Sequence, residues 1–183
     1  MKKIRVVTII LLCILASNRA ESQDLQGPGN GVSGKKETPV LKEISGLEVI
    51  KTVYPEAVAI EKSGSVWFKI IDAKRNYIGY ALSSKPFSEG IIGYHNTTPV
   101  IIITDKNQII KKVAMLSNWE STGYTRKLER QNFFNNWNGL SVKEAAAKKS
   151  ASADSYTGAT YTASAVVKNV NIVLNKALKS KIQ

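Results

Sequence analysis

The chain has 183 residues, a formal net charge of +12, one cysteine and one histidine. That length suits a single domain with a proper core once a processed end is allowed for. Cys13 lies in an apolar leader and His95 stands alone, so the rest of the chain excludes disulfides, haem attachment, iron–sulfur ligation, a zinc cluster and a His-based triad.

Residues 1–20 read as a secretory signal peptide. Lys2, Lys3 and Arg5 precede the apolar run VVTIILLCILA, Val6 to Ala16, which Asn18 and Arg19 stop short of membrane-spanning length. The cleavage point is not placed, because Asn18 precedes Ala20 and Ile14 precedes Ala16 at the minus-three position. Leu12 stands before Cys13 where a lipoprotein signal wants a small residue. The expectation is export, to the periplasm or the outer face of the cytoplasmic membrane. Lys2, Lys3, Arg5 and Arg19 account for four positive charges before Ala20, which takes the remainder from +12 to +8. The later lysines are scattered, as on solvated faces, and no nucleic-acid motif is visible. Such a surface suits anionic lipid headgroups or an acidic redox partner.

Residues 21–39 are rich in Gly, Pro, Ser and charge without apolar periodicity, and read as a flexible linker. The domain is expected over 40–183. Leu41, Ile44, Leu47, Val49 and Ile50 suggest one or two short helices closed by Pro55. VWFKIID and YIGYALS read as strands joined around Asp72 to Asn76, and PVIIITD and QIIKKVAML as strands joined around Asp105 to Asn107. His95 falls in a turn-like stretch between the hairpins. A polar loop, SNWESTGYT, leads into RKLERQNFFNNWNGLSV, where Leu128, Phe133, Phe134 and Trp137 suggest one helical face ended by Gly139. From Ala163 to Leu178 apolar residues recur at helical spacing, predicting an amphipathic C-terminal helix. The fold class is α+β, a twisted, largely antiparallel sheet of hairpins flanked by helices.

Before that last helix stands DSYTGATYTAS, Asp154 to Ser164, polar enough that little of it is expected in the core. A helix N-terminus offers free N–H groups and the positive end of its dipole to an anion, especially a phosphate. Gly158 permits close backbone approach, Ala159 keeps the loop narrow, and Thr160 presents a hydroxyl there. A simple N-cap is the alternative, and Thr162 alone would serve as one. A hydrolase built on the hydroxyls lacks a base.

Asp154, Thr157, Gly158, Ala159 and Thr160 together spell D-x-x-[ST]-G-A-T. In this the chain resembles the FMN-binding domain family found in the C subunit of the sodium-pumping NADH:quinone oxidoreductase and the G subunit of the Rnf complex. The resemblance runs from about Val40 to Leu178. It implies that a separate FAD-dependent, Mg²⁺-requiring flavin transferase esterifies FMN to the last threonine of the motif, here Thr160. It further implies a flavin-lining loop of the form E-T-P-G-L-G, matched by Glu120 and Gly123 with Ser121 in place of Thr. Thr122 and Thr125 replace the Pro and second Gly. Nearby Trp119 and Tyr124 are candidates either for stacking on the ring or for core packing. The function this implies, together with the export signal, is an electron carrier or subunit of a redox complex that relays electrons between a membrane or extracytoplasmic reductase and an acceptor. A module keeping the fold without flavin is the alternative.

Overall fold

The computed structural model describes residues 46–148 and 159–182. Helix α1 (Gly46–Lys51) is followed by β1 (Ala57–Lys62), β2 (Trp67–Asp72), β3 (Tyr77–Ser83), β4 (Val100–Thr104) and β5 (Ile110–Met115). Helices α2 (Thr122–Arg130), α3 (Val142–Ala147) and α4 (Thr160–Lys179) complete the described fold. The five strands form one antiparallel sheet in chain order. The α+β class and both hairpins are as expected from the sequence.

The two hairpin turns use one device. Asp72 accepts the amides of Lys74 and Asn76, each at 2.8 Å, while Arg75 takes φ 63°. Asp105 accepts those of Asn107 and Ile109, each at 2.9 Å, with Gln108 at φ 62°. In each, an aspartate satisfies the turn's amides so that a non-glycine residue holds the left-handed position. Burial pushes the Asp105 carboxyl upward, but the Lys111 ammonium at 2.9 Å and the two amides outweigh it and hold the group below the usual carboxylate range. A carboxyl depressed on folding stabilises above its unfolded pKa, and that contribution is lost as pH falls through the folded value. Asp105→Asn should therefore lower the melting temperature at neutral pH and flatten its fall in acid. Thermal melts from pH 7 down to pH 3 check this, and parallel wild-type and variant curves would rule it out.

Helices cover both faces of the sheet. On one, Val49 and Ile50 of α1 pack with Ala57, Ile70, Ala81, Ile101, Ile103 and Leu116. On the other, Val166, Val170, Val173 and Leu174 of α4 meet Trp67, Leu82, Val100, Ile102, Val113 and Met115, with Leu128, Phe133 and Trp137 beside them. The alternation along β4 follows from the two-residue period of a strand, and a strand buried on both faces reads as the unbroken run VIIIT. Where β3 crosses beneath Tyr54, Gly79 is required. A Cβ there would lie 2.5 Å from the Thr104 carbonyl that accepts the Tyr54 hydroxyl.

Three expectations need correction. Strand β1 was not foreseen; of its residues only Ala57 is buried, so the stretch lacks a strand's alternation. The helix expected after the SNWESTGYT loop is split. α2 begins within that loop at Thr122 and ends at Arg130, Asn132 turns left-handed at φ 54°, and Phe133–Trp137 forms a 3₁₀ turn. Its asparagines bond locally, Asn135 to Asn132 and Asn136 to the Phe133 carbonyl, which competes with a continuous helix. Thr162 is not a cap, because α4 begins at Thr160 and Thr162 lies buried inside its first turn. Among the described residues no helix is long and apolar enough to cross a membrane.

Candidate functional site

The N-terminus of α4 is the centre of the candidate site, and Ala159 and Thr160 are its two described motif residues. Asp154, Thr157 and Gly158 lie outside the described residues. Ala159 is the cap residue, buried, with φ −138° and no side-chain acceptor to offer. Thr160 occupies the first helical position and is half-buried. The first turn carries no acidic side chain of its own, and the helix is 20 residues long. With no acidic side chain of its own and a threonine hydroxyl at its first position, this helix end fits a phosphate group, the one carboxylate set against it, Glu120, being taken up by donors beneath the turn.

Beneath this turn sits Glu120, with no solvent exposure. Its carboxylate accepts the His95 amide at 3.0 Å and the Tyr94 amide at 3.2 Å, and the Thr162 hydroxyl donates to it as well. Asn118 fixes the near end, accepting the Glu120 amide at 3.0 Å and donating to the Leu116 carbonyl at 2.8 Å. Gly93 makes the approach possible, since a Cβ there would lie 2.6 Å from the Glu120 carboxylate. A fully buried carboxylate is costly unless paired, and three donors converge on this one. It joins the segment after β5, the 93–95 turn and α4.

Ser121, also buried, stands one residue before α2 and is within 2.9 Å of His95 Nε2. The lone histidine thus remains a loop residue, as expected, but one tied to the loop named for the flavin. Gly123 is exposed in the first turn of α2 and has no positive φ. Around this knot lie aromatic side chains: Trp119, Tyr94 and Tyr161 are exposed at 53%, 53% and 73%. Tyr124 is half-buried against the core and meets Tyr94 edge to face, with ring centres 4.9 Å apart. Of the two aromatics nominated from sequence, Trp119 is therefore on the surface and Tyr124 bridges surface and core.

A second buried polar chain ties the β3–β4 loop to α4. Asn169 donates to the Thr98 carbonyl at 3.0 Å and the Ala165 carbonyl at 3.1 Å, and accepts the Ser88 hydroxyl at 2.6 Å. Ser84, 3.0 Å from Ser88, accepts the Val100 amide at 2.8 Å. Sequence reasoning missed Gly93, Tyr94, Ser88 and Asn169. The one available signal was a polar Asn inside the apolar face of the last helix. A cavity of about 510 Å³ opens elsewhere, between α1, β5 and α2, lined by Val49, Met115, Glu129 and Phe134 among others. Thr125, which stands for the second Gly of the flavin-loop motif, is on its lining, whereas the described site residues Glu120, Ser121, Gly123, Ala159 and Thr160 are not.

Neither the curated proteins nor the solved structures contain a match to this chain. The family model described as "FMN-binding domain" matches residues 93–175, from the glycine against Glu120 to the last turns of α4. That interval holds Glu120, the 93–95 turn, Thr162 and Thr160, and over it the chain is similar to FMN-binding domains.

Proposed function

We propose that this protein is an exported electron-transfer flavoprotein carrying FMN on Thr160 through a phosphoester. The observation that carries the reading is the place of Thr160. It ends the D-x-x-[ST]-G-A-T motif, stands first in α4, and lies inside the matched FMN-binding domain. A flavin supplies one- and two-electron transfer, which a chain without a redox-active cysteine pair needs from a cofactor.

Attachment is a phosphoryl transfer. The Thr160 Oγ attacks the FMN-side phosphorus of FAD, the new Oγ–P bond forms, the pyrophosphate P–O bond breaks, and AMP leaves. The hydroxyl proton passes to a base on the transferase or to water. The α4 N-terminus then faces the phosphodiester charge, and Tyr94, Tyr124 and Trp119 offer aromatic surface to the ring. Gly123 and Ser121 belong to the same wall, while Glu120 holds that wall from beneath. Asp154 and Thr157 serve the transferase's recognition of the segment. A tether keeps the cofactor with an exported protein that has no cytoplasmic FMN pool to draw on. Its partners are the FAD-dependent flavin transferase and membrane-associated redox proteins.

Intact-mass measurement on protein co-expressed with its transferase tests this. One FMN adduct is expected, mapping by peptide fragmentation to Thr160. An unmodified, colourless protein from its native host would instead mark a binding module that keeps the fold without flavin.

A further inference from the structure

We propose that Glu120 and Thr162 are positioning residues for Thr160, setting the direction of its hydroxyl through the first turn of α4 without touching the flavin. The inference rests on the reading of Thr160 as the attachment residue. A helix's first turn has unpaired amides and frays unless something holds it. Here the cap, Ala159, supplies no side chain. The hold comes from Thr162, two residues beyond Thr160, whose hydroxyl donates to Glu120.

That carboxylate cannot drift. One oxygen accepts the His95 amide and the other the Tyr94 amide, and its own backbone is bonded to Asn118. Gly93 closes over it without a Cβ to displace it. Both Glu120 and Thr162 are 0% exposed, so neither offers surface to a cofactor or a transferase. Their influence therefore passes through the backbone between Thr160 and Thr162. A displaced nucleophile loses rate rather than affinity, since the surface that the transferase grips is unchanged.

The experiment uses the full chain purified without flavin, with the transferase, FAD and Mg²⁺. Initial rates of adduct formation are followed by mass over a range of acceptor-protein concentrations. Thr162→Val keeps the side-chain shape and deletes the hydroxyl, and is expected to lower kcat about tenfold or more. KM for the acceptor should stay within about twofold. Thr162→Ser, which restores the hydroxyl, should recover most of the rate. Val173→Ala, a cavity variant farther along α4, serves as a control that is destabilised yet modified at the wild-type rate.

Wild-type kcat in Thr162→Val with the adduct on Thr160 would overturn the inference. An equal slowing in Val173→Ala would overturn it too, by reducing the effect to stability. Should Thr162→Val not fold, Glu120→Gln is read by the same kcat and KM split, because its amide presents N–H groups to donors that need an acceptor. A wild-type protein with no adduct on Thr160 refutes the attachment reading and this inference with it, so the two failures are distinguishable.

Discussion

Thr160→Val is expected to give a folded protein that carries no flavin at all. The substitution exchanges the esterifying hydroxyl for a methyl of nearly the same volume, and both residues are β-branched. At the first helical position of a half-buried turn this should cost no more than about 1 kcal/mol. Loss of the adduct, by contrast, should be complete, because no other group on that residue can form a phosphoester. Co-expression with the transferase, followed by intact mass and visible flavin absorbance, reads the outcome directly. A variant that keeps its adduct, on Thr157 or any other hydroxyl, would refute the assignment of Thr160.

The largest loss of stability is expected from Trp67→Ala. Trp67 is 2% exposed at the start of β2 and meets Tyr80 edge to face at 5.5 Å. Its indole N–H reaches the Ala177 carbonyl at 3.3 Å, pinning the last turns of α4 to the sheet. Deleting a buried indole removes its transfer free energy, leaves a cavity and orphans a hydrogen bond, together about 3–5 kcal/mol. For a domain of this size the melting temperature should fall by on the order of 10 °C. Urea melts should show a lower midpoint with an unchanged slope. A fall of only a degree or two would mean that the C-terminal end of α4 contributes little to the core. Flavin attachment at the opposite end of α4 should persist wherever the variant is folded, which separates this anchor from the Glu120–Thr162 hold.

Periodicity was enough to find α4 and both hairpins. α4 shows its apolar residues at helical spacing over 20 residues, and the hairpins carry Asp-led turns between β-branched runs. These are local signals, since each element's pattern is set by the faces it must bury. The motif ending at Thr160 was equally legible, because its residues are neighbours in the chain. Where local chemistry and apolar period disagreed, the reading failed. The asparagine-rich stretch at 131–138 became a left-handed residue and a 3₁₀ turn, and the thinly buried β1 was passed over.

What the sequence by itself determined is therefore the fold class, the main elements and the motif that ends at the head of α4. What only the tertiary structure decided is how the first turn of that helix is anchored. Glu120 and Thr162 are 42 residues apart and Ser88 and Asn169 are 81 apart. A single polar residue pairing across such distances leaves no period to detect. Its burial is tolerable only because the folded chain delivers the missing donors and acceptors, and those come from loops whose positions the sheet and α4 jointly set.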